Sequence, residues 1–192
     1  MKKIIFGKCY AFSSDATLQE LLAESLSLYA DADDREPEVN IRIGHAMTAR
    51  RPSSINPRVH EAFEHGMRTS FPTVDVYWER SGDGRLEVEV AIKMRRGIRG
   101  TIHKLLSMEY SRETEAFEQI LHEFVLVPSV YFFDDMVPIH ASAVTIGDSA
   151  CLLAGTGGAG KSSAMLALRK HPGAGFVSDD IVVMSDTGRV HG

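Results

Sequence analysis

The sequence predicts an α/β chain whose C-terminal part is a P-loop βαβ core, preceded by a mixed α+β region. Three observations carry that expectation. Gly155-Thr156-Gly157-Gly158-Ala159-Gly160-Lys161-Ser162 fits the phosphate-loop pattern G-x-x-x-x-G-K-[ST]. Ala150 to Ala154 before it is a short apolar run that reads as a strand, and Ser163 to Lys170 after it is rich in helix formers, with Arg169 and Lys170 in the last turn. Phe176 to Met184 then supplies a second strand, completing the order strand, loop, helix, strand.

The remaining elements follow in chain order. Met1-Lys2-Lys3 followed by Ile4-Ile5-Phe6 superficially resembles a signal peptide, but Gly7-Lys8 interrupts the apolar run and no small-residue cleavage site follows. Ile4 to Phe12 is therefore read as a strand. Asp15 to Tyr29 has helical spacing, with Leu18, Leu21, Leu22, Leu26 and Tyr29 on one face. Asp31 to Glu38 is an acidic, solvated turn, and Val39 to Ile43 a strand. Thr73 to Trp78 and Leu86 to Ile92 flank Ser81-Gly82-Asp83-Gly84, a β-hairpin signal. Residues 113 to 126 read as a helix with Phe117, Ile120, Leu121 and Phe124 inward. Ile139 to Ile146 reads as a strand turning back at Gly147-Asp148, and His171-Pro172-Gly173-Ala174-Gly175 as the stop of the last helix. This divides the chain into residues 1–135 and 136–192.

Bulk properties bound the function. The 192 residues are 44% apolar, enough for real cores, and carry a net charge of −5 with both signs mixed. That balance argues against a dedicated nucleic-acid binder. No apolar run approaches the roughly 18 residues of a membrane span. Cys9 and Cys151 lie far apart and read as free thiols of a cytoplasmic protein.

The glycine loop carries the clearest chemistry. Glycines let backbone N–H groups converge on phosphate oxygens, and the positive end of the helix dipole faces the same point. Gly155, Thr156, Gly157, Gly158, Ala159, Gly160, Lys161, Ser162 and Ser163 would form the nucleotide site. Lys161 would reach the β- and γ-phosphates of ATP, and the Ser162 hydroxyl would hold Mg²⁺. A glycine-rich turn that merely opens a helix would fit the same pattern. The second signal is Asp179-Asp180, two adjacent carboxylates inside an apolar run, where burial would be costly without a partner. Phosphoryl transfer needs an acid that helps hold Mg²⁺ and a base for the acceptor's proton, and this pair could supply both. A strand break is the bland alternative, since Ser178-Asp179-Asp180 also has turn composition.

Taken together, His140-Ala141-Ser142-Ala143, the run from Leu152 to Ser162, and Ser178-Asp179-Asp180 resemble the kinase core of the HPr kinase/phosphorylase family and its relatives. The resemblance covers about residues 136 to 184. It implies an HPr kinase/PEP carboxykinase-like fold, with ATP and Mg²⁺ as cofactors. The reaction implied is transfer of a phosphoryl group to a serine or threonine hydroxyl of a protein or peptide. By the same resemblance His140 lies close to the reacting phosphate, Asp179 is favoured as the base, and Asp180 joins Ser162 as a metal-site residue. One departure stands out. The family's domain continues well past the acidic pair, whereas this chain ends at Gly192, twelve residues beyond Asp180. The core is therefore read as incomplete at its C-terminus. An incomplete sheet exposes an apolar edge, so a homo-oligomer is expected. The rival reading is a non-catalytic nucleotide-binding or interaction module, and a small-molecule kinase or simple NTPase is a third.

Two other clusters are weaker. Lys93, Arg95, Arg96, Arg99 and Lys104 could dock an acidic partner, but read more simply as a solvated loop. His60, Glu61, Glu64 and His65 suggest a metal, yet on a helix the histidines would face different directions.

Overall fold

The computed structural model describes residues 1–47, 60–71, 73–93 and 113–192. They form a mixed α/β chain with two sheets and few helices, with more residues in strands than in helices. The chain divides into two compact units, Met1–Ser129 and Val130–Gly192.

The first unit is built on an eight-stranded sheet. Its strands are β1 (Lys2–Ile5), β2 (Lys8–Ser14), β3 (Ala30–Asp31), β4 (Val39–Gly44), β5 (His60–Phe63), β6 (Gly66–Ser70), β7 (Val74–Arg80) and β8 (Leu86–Ile92). The spatial order is β3-β1-β2-β4-β8-β7-β6-β5, with β4 parallel to both β2 and β8 and every other pair antiparallel. Alternation explains which face is buried. Val39, Ile41 and Ile43 of β4, Val74, Val76 and Trp78 of β7, and Leu86, Val88 and Val90 of β8 are all buried. Each such side chain contributes roughly 1.5–3 kcal/mol by leaving water. A 3₁₀ turn (Ala16–Leu18) leads into helix α1 (Gln19–Ser25), and later come helix α2 (Glu113–Leu121), a π-helical segment (His122–Leu126) and a helical turn α3 (Val127–Val130).

Four sequence expectations change in this unit. Ile4 to Phe12 is two strands, because Phe6 (φ 51°) and Gly7 (φ 81°) make a two-residue turn between Ile5 and Lys8. Positive φ at both central residues suits the right-handed twist of a hairpin. Buried Phe6, edge-on to His122 at 6.2 Å, holds this unusual backbone in place. The first helix ends at Ser25, with Leu18, Leu22 and Leu26 buried. The stretch from Glu113 is helical, but its π-helical segment rotates the later residues, so Val125 and Leu126 are fully buried where Phe124 was expected. His60 to His65 belongs to the β5–β6 hairpin rather than a helix.

The second unit centres on the long strand β9 (Met136–Ile146). Strand β10 (Ser149–Ala154) pairs with one side of it, while β11 (Ala174–Ser178) and β12 (Ile181–Ser185) lie end to end along the other. A short β13 (Val190–His191) pairs with β12, and helix α4 (Lys161–Leu168) joins β10 to β11. All of these pairings are antiparallel. Thus β10 and β11 run parallel but are not neighbours, since β9 separates them. The expectation of a simple βαβ core is corrected to this split form. The tight turn at Gly147 (φ 59°) makes β9 and β10 a hairpin, and β9 thereby occupies the place between the two parallel strands. Helix α4 starts at Lys161 and ends at Leu168, so Arg169 and Lys170 follow it instead of forming its last turn. The core is small. Ala141, Ala143 and Val182 are fully buried, with Ile139, Leu152, Val177 and Val190 packed against them.

Candidate functional site

Strand β10 ends at Ala154 and delivers the chain into the exposed loop from Gly155 to Gly160. Two positions there require glycine by conformation, Gly158 (φ 76°) and Gly160 (φ 86°). At Gly155 the reason is space, because a Cβ would meet that of Ala159 at 3.3 Å. Gly160 is also the N-cap of α4 and has no side chain to bond the helix start. The first N–H groups of the helix therefore have no side-chain cap. Lys161 folds back over the loop, its Nζ donating to the carbonyls of Gly155 (2.9 Å) and Thr156 (3.4 Å). Ser162 and Ser163 are exposed at the same helix end.

Asp179 and Asp180 sit in a break between β11 and β12. Ser178 pairs with Ala143 and Ile181 with His140, so the two aspartates span the stretch opposite Ala141 and Ser142. The irregularity begins between Phe176 and Ser178, and Ser178 Oγ closes the break by donating to the Ile181 carbonyl at 2.7 Å. Both aspartates are exposed. This corrects the expectation of carboxylates buried within one continuous strand, and the desolvation argument attached to it falls away. Turn-forming residues interrupted the ladder, as the bland alternative supposed. Each carboxylate nevertheless has a distinct partner. His140 Nδ1 lies 3.0 Å from Asp180 Oδ1, and Ser142 Oγ donates to Asp179 Oδ1 at 2.8 Å.

The register of β9 brings the two signals together. Ala154, the last residue before the glycine loop, pairs with Ala141 on one side of β9. On the other side the Ala141 N–H donates to the Asp180 carbonyl at 3.0 Å. Loop entry and acidic pair thus flank the same residues of β9, two strand spacings or roughly 10 Å apart. His140 and Ser142, two apart on one strand, project from the same face between them. The sequence singles out His140 and gives Ser142 no role of its own, because its contact with Asp179 depends on which segment lies beside β9.

No family model, curated protein or solved structure matches this chain. The candidate site therefore stands on its residues and their geometry.

Oxygen donors dominate that geometry. The Ser162 hydroxyl and the carboxylates of Asp179 and Asp180 are hard oxygen donors, the ligand type that Mg²⁺ takes before completing its shell with phosphate and water. Among the described residues no group of three or more His, Cys, Asp and Glu side chains could hold a metal ion. The His60–His65 cluster is dispersed among other partners, with His60 Nδ1 3.1 Å from Thr69 Oγ1 and Glu61 3.7 Å from Arg68. Of the basic segment, Lys93 donates to Ser70 Oγ and the Phe71 carbonyl, while Arg95, Arg96, Arg99 and Lys104 lie outside the described residues. A shallow groove of about 540 Å³ crosses the open face of the first sheet beside Tyr77, Glu79, Glu87 and Glu89. Its carboxylates are engaged already: Arg42 pairs with Glu89, Asn40 donates to Glu87, and Tyr77 to Glu79.

Proposed function

We propose that the second unit binds Mg·ATP in the loop from Gly155 to Ser163 and transfers the γ-phosphoryl group to a serine or threonine hydroxyl of a protein or peptide, as an HPr-kinase-like enzyme. The observation that carries this reading is the pairing along β9, which sets the loop entry and Asp179-Asp180 on opposite sides of residues 140–142. In this reading the loop N–H groups and Lys161 bind the phosphates, and Lys161 exchanges its contacts with Gly155 and Thr156 for phosphate oxygens. Asp180, steadied by His140, accepts the acceptor's proton as the new P–O bond forms and the bond to ADP breaks. Asp179 and Ser162 would hold the metal, which when bound neutralises charge on the phosphates. These roles are reversed from the order favoured by sequence. The reason is that Asp179 is tied back to Ser142 on β9, whereas Asp180 meets only an exposed imidazole. Free Cys9 and Cys151 suit the reducing cytoplasm in which ATP is available.

The test is transfer from γ-labelled ATP to a serine- and threonine-containing peptide library. Asp180→Asn should lower transfer by about 10²-fold or more while leaving Mg·ATP binding intact, as expected for loss of a general base. Undiminished transfer by that variant would remove Asp180 from the chemistry. One observation favours a second reading, a nucleotide-binding module without catalysis. The His140 and Asp180 side chains are 61% and 67% exposed, an open arrangement that by itself does not exclude water from a reacting phosphate. Under that reading ATP binds and no peptide is labelled.

A further inference from the structure

Ser142 is fully buried, yet it stands on β9 between Ala141 and Ala143, both small, apolar and equally buried. A hydroxyl there is costly unless bonded. Its bonds go to one residue only. Ser142 Oγ lies 2.8 Å from Asp179 Oδ1 and 3.2 Å from the Asp179 carbonyl. The two contacts fix both the backbone and the side chain of Asp179 at the break between β11 and β12. They commit one carboxylate oxygen and leave Oδ2 as the remaining acceptor. On its other side Ser142 pairs with Leu153 of β10, one residue before the strand delivers the chain to the glycine loop. One buried hydroxyl therefore connects the strand that carries the loop with the acid across from it.

We infer that Ser142 is a positioning residue for the metal site: its hydrogen bond holds Asp179 in the orientation needed to complete Mg²⁺ binding beside the nucleotide phosphates. The inference rests on the reading of the second unit as an Mg·ATP site, and adds a residue outside the phosphate loop and the acidic pair. A hydroxyl that donates to one oxygen of a carboxylate lowers the rotamer freedom lost when the other oxygen engages a cation. Removing it would weaken the cation's contribution and spare contacts between the loop and the phosphates.

The experiment separates those two contributions. ATP binding is titrated calorimetrically in EDTA, then Mg²⁺ is titrated at fixed ATP, for the wild-type chain and for Ser142→Ala, Ser142→Thr and Asp179→Asn. Ser142→Ala should leave metal-free ATP affinity within twofold and raise the Mg²⁺ half-saturation point about tenfold, the size seen when an outer hydrogen bond to a metal ligand is lost. Ser142→Thr, which keeps the hydroxyl, should restore it, and Asp179→Asn should reproduce the defect without disturbing β9. An Mg²⁺ half-saturation unchanged in Ser142→Ala overturns the inference and leaves Ser142 as a clamp on the strand break, whatever Asp179→Asn does. If Ser142→Ala does not fold, Ser142→Cys, which keeps a side chain of similar size but only a weak donor, takes its place in the same titration and is judged by the same outcomes. Absence of ATP binding in the wild-type chain, equal to a Lys161→Ala control, overturns the parent reading and the inference with it.

Discussion

Lys161 bonds two carbonyls of its own loop, and this contact describes the candidate site at the scale of single residues. In the proposed function this flexible ammonium would trade two neutral acceptors for charged phosphate oxygens. The loop has its shape because of its glycines. At Gly160 nothing lies within 4 Å of a would-be Cβ, so a larger residue meets no clash and only the backbone conformation resists it. Gly160→Ala should therefore cost about 1 kcal/mol of stability through its positive φ. The chain should still fold, but nucleotide affinity should fall by tenfold or more as the loop shifts. Melting curves and nucleotide titration of the same sample check both parts, and unchanged affinity would mean the loop does not bind through this conformation. The glycine loop and the helix it opens were legible because their residues are contiguous and each type has a local reason. Ser142 was not, because its role depends on which strand lies beside β9, and pairing between distant segments leaves no local pattern.

Elements show the same division between local and non-local information. The β7–β8 hairpin was readable from alternation around Ser81-Gly82-Asp83-Gly84, and its register from Val74 opposite Ile92 to Arg80 opposite Leu86 follows from that turn. The hairpin at Phe6-Gly7 was hidden, because a phenylalanine with positive φ carries no turn signature and is held there by burial. The π-helical segment shifted a correctly recognised helix by part of a turn. The acidic pair fell at a break in the ladder because two aspartates favour turns, a preference that outweighed the apolar residues on either side. Beyond the candidate site, β6 and β7 are tied by charge. Asp75 lies 2.8 Å from Lys93 Nζ and 3.2 Å from Arg68 Nη2. Burial alone would raise its carboxyl pKa, but the nearby Lys93 ammonium, the Ser70 hydroxyl and the charge of Arg68 outweigh it and hold the group below the usual range. A carboxylate depressed in the folded state adds stability above its unfolded pKa of about 3.9, and that stability is lost as pH falls through the folded value. Resistance of the wild-type chain to denaturant should thus fall below about pH 4, and Asp75→Asn should be less stable at neutral pH with a shallower acid slope. Equal acid slopes in the two proteins would show that this network does not contribute.

For the whole molecule, the two units differ in how much they bury. The first holds Trp78, Tyr10 and a set of fully buried aliphatic residues, whereas the second has a small core and leaves Val137, Leu166, Phe176 and Met184 exposed. Among the described residues β10 is an edge of its sheet and carries no charge or proline, features that leave a strand free to pair, so self-association is part of the proposed behaviour. A unit of this kind gains stability from what it binds, by about 2.7 kcal/mol when ligand reaches a hundred times its dissociation constant. No described helix is long and apolar enough to cross a membrane. If the glycine loop is an assembled nucleotide site, Mg·ATP titrated calorimetrically into the wild-type chain binds saturably, and Lys161→Ala loses that binding while remaining folded; a folded wild-type chain that takes up no Mg·ATP, or a variant that binds it equally well, rules the site out.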